Sequence, residues 1–127
     1  KLLDLVNVPE TDKSFAPYKY HKINHTKLNL YAVNFCLAIC DLYSSDRDVR
    51  EGALVYVFDD ECTKDDPASF AWLCEILNLD HKLTVVLAGE GFNKDILRLA
   101  RSSIKNHLKV DGCIKAVKKA IKLKKQS

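Results

Sequence analysis

The segment from Leu28 to Tyr43 constrains the fold most, because apolar residues occupy nearly every side of the helix it would form. A helix without a polar face is stable only when other elements cover it. The following Ser44-Ser45-Asp46 ends the segment and offers a cap for the next one. We therefore predict a buried helix over residues 28–43.

Four further segments are predicted to be helical. Residues 46–58 carry acids in the first turns and apolar residues at helical spacing. A third helix begins at Pro67, with Pro in the first turn, and Asn78-Leu79-Asp80 ends it. After a turn at Gly89-Glu-Gly91, a helix capped by Asn93 or its predecessor runs to a break at Val110-Asp-Gly112. The last helix covers about 112–125, with its apolar residues, Cys113 to Leu123, in one half of the helical wheel.

Two β-branched runs leave an alternative open. Residues 54–58 and 83–87 resemble strands, which would give an α+β fold. Two short strands form no stable sheet by themselves, so a helix over 81–88 capped by Asp80 is favoured. The prediction is one all-α domain of five to six helices over 28–127. An irregular, Pro-punctuated arm over 1–27 precedes it.

Residues 69–88 show the pattern of a helix-turn-helix. Phe70 and Leu73 supply a buried face, Asn78 tolerates the left-handed turn, and Leu79 enters the core. Val86 and Leu87 are expected to anchor the second helix. The residues then predicted to face outward, toward phosphates or base edges, are His81, Lys82 and Thr84.

The net charge of +3 hides a strong asymmetry. Residues 1–100 carry −5, whereas residues 101–127 hold nine Lys or Arg and one acid, which gives +8. One half of the last helix is predicted to present Lys115, Lys118, Lys119, Lys122 and Lys125. Such a face neutralises backbone phosphates, and lysines act as point charges without the geometry that reads guanine.

The helix-turn-helix pattern and the charge asymmetry together predict a small nucleic-acid-binding or transcription-regulating protein, of phage or mobile-element type. Its predicted partner is duplex DNA. Nothing in the chain is long and apolar enough to span a membrane, and the last helix lacks Trp or Phe for a membrane surface.

The alternative is a non-enzymatic adaptor or inhibitor of a host protein. In that case the apolar arm and an acidic loop would dock the partner, through Asp59, Asp60, Glu61, Asp65 and Asp66. Opposite charges on one small protein also allow a homodimer.

The cysteines indicate a reducing compartment. Their number, five, is odd, and most lie in apolar segments where free Cys packs as a small core residue. With no secretory leader pattern at Lys1–Pro9, we expect a cytoplasmic protein. His21/His25 and Cys36/Cys40 have one-turn spacing, but spacing alone is weak, so neither a metal nor another cofactor is expected. No nucleophile elbow or dinucleotide fingerprint is present, which disfavours an enzyme.

The stretch Leu37–Asp80 resembles a family of small, functionally uncharacterised bacterial and phage-type helical proteins. Those proteins carry an Asp-rich loop followed by Ser-Phe-x-x-(Val/Ile/Leu)-Cys-Glu-x-Leu-Gly-Leu-Asp. This chain has Ser69-Phe-Ala-Trp-Leu-Cys-Glu-Ile-Leu-Asn-Leu-Asp80, with Asn78 in place of Gly. The resemblance implies helices on both sides of Leu79 and no established activity.

Overall fold

The computed structural model describes residues 25–105 and 110–127, which form six helices and no strand. The all-α prediction is confirmed, and the α+β alternative is excluded for these residues. Most of the predicted arm, residues 1–24, lies outside the described residues. The helices are α1 (His25–Leu42), α2 (Arg47–Val57), α3 (Phe70–Ile76), α4 (His81–Glu90), α5 (Lys94–Lys105) and α6 (Val110–Lys125).

Helix α1 is the centre of the fold. It packs against α2, α3, α5 and α6, which explains why its sequence lacks a polar face. Tyr31 and Phe35 are fully buried, and Phe35 stacks on Phe70 of α3 with ring centroids 5.6 Å apart. The predicted buried helix is confirmed, although it begins at His25 and not at Leu28.

Short polar side chains set where the next three helices begin. Asp46 accepts hydrogen bonds from the amides of residues 48 and 49, Ser69 from that of Trp72, and Asp80 from that of Leu83. The prediction that α3 begins at Pro67 is wrong. Because Ser69 is the cap, α3 begins at Phe70, and Pro67 stays in the preceding turn.

The hairpin of α3 and α4 forms as predicted. Asn78 has φ +59°, and the amide of Leu79 donates to the carbonyl of Cys74 at 2.7 Å, which closes the end of α3. Leu79 is buried, and Asp80 caps α4. Residues 81–88 are therefore helical, and their β-branched content does not decide their structure.

Two predicted breaks lie inside helices. Gly89 and Glu90 continue α4, which ends at Gly91 with φ +90°. Residues 110–112 belong to α6, because Val110 is buried in the core and holds the first turn in place. No helix among the described residues is both long and apolar enough to cross a bilayer.

Candidate functional site

Helix α6 presents three different sides. Cys113, Val117 and Ile121 are buried and attach it to the rest of the fold. A second side, here called the lysine face, carries Lys115, Lys118, Lys119, Lys122 and Lys125. The third side carries Ala116, Ala120 and Leu123. The predicted apolar half of the helical wheel therefore includes both buried residues and Leu123, which is 57% exposed.

The members of the lysine face differ in their surroundings. Lys115, Lys119 and Lys122 are exposed, and none of them forms an ion pair with a described residue. Lys118 is half-buried, and burial lowers the pKa of its ammonium group. Lys125 lies 3.8 Å from a carboxylate oxygen of Asp80. Three lysines are therefore available to an external anion without breaking an internal pair.

A groove borders the lysine face. It has a volume of about 730 Å³, and Leu87, Leu99, Ala116 and Leu123 contribute its apolar lining. Its cations are Arg98 of α5 with Lys119 and Lys124 of α6. Lys124 donates to the carboxylate of Glu90 at 2.6 Å, and Arg98 lies 3.7 Å from exposed Asp95. Packing of α5 on α6 thus adds Arg98 to the basic surface.

Arg98 also lines a second, smaller cavity of about 220 Å³, together with Arg101, Ser102 and Lys105. The basic surface therefore continues from α6 onto α5. The sequence-based site omits Arg98, Arg101 and Lys105. Their spacing of three and four residues along α5 places them on one helix face, and this spacing was the signal that could have identified them.

The second helix of the hairpin does not present the predicted recognition residues together. Thr84 is fully buried, and its hydroxyl donates to the carbonyl of Asp80 at 2.7 Å. Val86, predicted to be an anchor, is 40% exposed. The prediction that Thr84 faces outward is therefore wrong. A Thr hydroxyl bonded to its own helix backbone can be buried at low cost, and here it lies beside the Cys74 thiol.

His81 is half-buried and packs edge-on against Phe70, with ring centroids 6.1 Å apart. Its Nε2 is buried and has no hydrogen-bond partner among the described residues. Burial lowers the pKa of His81, and the nearby Asp80 carboxylate only partly opposes this shift. A half-buried imidazole whose pKa is lowered is a poorer ligand for phosphate than an exposed, protonated one.

Lys82 is the exposed member of the predicted trio. The ion pair of Lys125 with Asp80 places the start of α4 beside the end of α6. The basic end of α6 and the amino end of the hairpin helix are thus neighbours. An acid, Asp80, stands between them.

The acidic loop uses part of its charge internally. Asp59 accepts hydrogen bonds from the Glu61 amide and the Cys62 thiol, and these bonds lower the pKa of its carboxyl. Asp66 accepts from the Thr63 amide. All five acids, Asp59, Asp60, Glu61, Asp65 and Asp66, are exposed. The loop is a charged surface whose shape is fixed by two of its own carboxylates.

None of the five cysteines is paired in a disulfide. Cys36 of α1 and Cys113 of α6 are both buried, and the interaction between their thiols lowers the pKa of Cys36 and raises that of Cys113. Among the described residues, no group of three His, Cys, Asp or Glu could hold a metal ion. His21 and the side chain of His25 lie outside the described residues.

Comparison with protein-family models, with curated proteins and with solved structures finds no match for this chain.

Proposed function

We propose that this protein binds nucleic acid through phosphate contacts made by the lysine face. The observation that carries the proposal is the exposure of Lys115, Lys119 and Lys122 on one side of α6, without an ion pair to a described residue. Lysines on such a surface neutralise phosphates and release condensed counterions, which favours binding at low salt.

The surroundings favour contact with the backbone over base readout. The exposed cations of α6 are all lysines, which do not form the bidentate pairs that arginine forms with guanine. Thr84 is buried and His81 is half-buried, so only Lys82 of the hairpin trio offers an exposed polar group. Binding should therefore depend strongly on salt and weakly on base sequence.

Arginine enters the surface only from α5. Arg98 shares a groove with Lys119, and Arg98, Arg101 and Lys105 line the adjoining cavity. A duplex that lies along the lysine face would place a neighbouring phosphate or base edge near these groups. Any sequence preference, and with it a role in transcription regulation in a phage or mobile element, is expected to come from α5.

Fluorescence anisotropy with a labelled duplex of about 20 base pairs, measured from about 50 to 300 mM salt, tests the proposal. The test variant is Lys115→Gln/Lys122→Gln. Its matched control is Arg47→Gln/Lys64→Gln, which removes the same charge from exposed residues of α2 and the acidic loop. Each phosphate contact contributes about 0.9 to the salt slope, so the test variant should lower the slope by about 2.

Three results would contradict the proposal. They are no binding at about 50 mM salt, where phosphate contacts are strongest, an equal loss in the control variant, and an unchanged slope in the test variant. Competition with unlabelled random-sequence duplex then measures base preference. We expect the random-sequence duplex to displace the probe as well as an unlabelled duplex of the probe's own sequence does.

A further inference from the structure

A groove between α1 and α2 shares no lining residue with the two basic cavities. Its volume is about 390 Å³, and every residue that lines it belongs to these two helices. Its most exposed aliphatic side chains are Leu37 of α1 and Val49 of α2, at 42% and 40%. Large aliphatic side chains that remain this exposed on facing helices form an apolar strip that another chain can cover.

Gly52 lies in the wall of this groove, in the middle of α2. Glycine inside a helix lowers its stability relative to alanine, because the unfolded chain has more freedom to lose. Among the described residues no contact requires the missing side chain, since a Cβ built at Gly52 meets nothing within 4 Å. The bare backbone leaves room for a side chain from outside to approach α2 closely.

The charge of the groove is negative. Among the residues that the structure describes, its lining includes the carboxylates of Asp41 and Asp48 and no Lys or Arg. Neither carboxylate forms an ion pair with a described residue. Asp41 is half-buried, and its burial raises the pKa of its carboxyl. A cation supplied by a ligand would offset the cost of this partial desolvation.

We propose that the groove between α1 and α2 binds a cationic amphipathic helix of a partner protein. An apolar side chain of that helix would lie between Leu37 and Val49 against the bare backbone of Gly52. Lys or Arg residues beside it would reach Asp41 and Asp48. This is the helix-in-groove mode of recognition, in which residues at helical spacing provide the anchors.

The binding test uses a fluorescein-labelled synthetic peptide of about 16 residues, which spans about 24 Å as a helix. It has Leu at positions i, i+3, i+4 and i+7 and Lys on the flanks. A second peptide replaces each Lys with Glu, and a third keeps the Lys residues but carries a central Pro that prevents the helix. We expect the Lys helix to bind at least about tenfold more tightly than either comparison peptide.

Two independent variants locate the binding site. Gly52→Leu fills the groove, and its matched control is Gly89→Leu on the exposed side of α4, where an added Cβ makes only an ordinary 3.8 Å contact with Phe58. Asp41→Asn/Asp48→Asn removes the groove's charge, and Asp60→Asn/Asp65→Asn removes the same charge from the acidic loop. Each groove variant should bind the Lys peptide about tenfold more weakly than the parent protein, whereas each control variant should bind it within about twofold of the parent.

Circular dichroism melts of all four variants separate loss of the site from loss of the fold. The proposal is overturned if the Glu peptide binds as well as the Lys peptide, or if a groove variant that melts like the parent binds normally. Equal weakening by the acidic-loop control would show attraction by net charge alone and would also overturn it.

A second copy of this chain is the competing occupant, because α6 is itself cationic and carries exposed Leu123. Sedimentation velocity from about 10 to 100 µM distinguishes this case. Self-association that Gly52→Leu abolishes would assign the groove to a second copy and overturn the proposal of a foreign partner. A protein that stays monomeric and binds the Lys peptide supports the proposal of a foreign partner. The assay contains no nucleic acid, so its result is independent of the function proposed for the lysine face.

Discussion

The hydroxyl of Thr84 donates a 2.7 Å hydrogen bond to the backbone carbonyl of Asp80, one helical turn earlier. The same carbonyl accepts the Thr84 amide at 2.9 Å. Both hydrogen-bond donors of this buried residue are thereby satisfied by one carbonyl at the start of α4. Because this hydroxyl is satisfied by its own helix backbone, Thr84 can be buried without a partner from another helix; α4 buries the side that includes Thr84 and Ala88 and exposes Lys82 and Val86.

Thr84→Val should lower the free energy of unfolding by about 1 kcal/mol or less, because the Asp80 carbonyl keeps its amide partner. Affinity for duplex DNA should not change, since the side chain is buried. Urea unfolding and anisotropy on the same sample measure both quantities. Weaker DNA binding at unchanged stability would instead place Thr84 at the nucleic-acid interface.

The sequence predicted the hairpin correctly because its signals are local. Ser69, Asn78 and Asp80 each act on the backbone within a few residues of themselves, so their effect does not depend on the rest of the fold. The same holds for Asn93, whose side chain accepts from the amide of Ile96.

The rotation of α4 was not predictable in this way. Apolar residues occupy all sides of the helix between Leu83 and Leu87, so periodicity does not select a buried face. A polar side chain such as Thr84 is expected at the surface, whereas its bond to the Asp80 carbonyl satisfies the hydroxyl and allows it to pack inside beside Cys74. On α6 the lysine face followed from the sequence. Its extension to Arg98 required the packing of α5 on α6.

Ala68 adopts φ +70°, a left-handed backbone that penalises any side chain with a Cβ. Ala68→Gly should therefore raise the free energy of unfolding by up to about 1 kcal/mol, after the greater freedom of glycine in the unfolded chain is subtracted. Ala120→Gly, inside α6, is the matched control and should lower it by about 1 kcal/mol. Urea titrations compare the two, and destabilisation by both substitutions would contradict the strain at Ala68.

His81 should make stability depend on pH. Burial places its pKa in the folded protein below the ordinary value of 6.5, so the unfolded chain binds a proton more readily. The free energy of unfolding should therefore fall as the pH drops through about 6.5 toward 5, and the full contribution is present above that range.

His81→Gln removes this titration and leaves the other three histidines unchanged. The urea midpoints of the variant should differ less among about pH 7, 6 and 5 than those of the parent chain do. Parallel pH profiles for the two proteins would show that the imidazole of His81 is as easily protonated in the folded state as in the unfolded state.

Substitution by alanine should change the free energy of unfolding in opposite directions at Gly52 and Gly91. Gly91 ends α4 with φ +90°, where a Cβ is strained, so Gly91→Ala should lower the free energy of unfolding by about 1 to 2 kcal/mol. Gly52 has helical backbone and open space around it, so Gly52→Ala should raise that free energy by about 0.5 to 1 kcal/mol. Urea unfolding with a common m value measures both. A Gly52→Ala variant that is less stable than the parent would reveal a packing role for this glycine inside the chain, and would remove the reason to assign its open backbone to a partner.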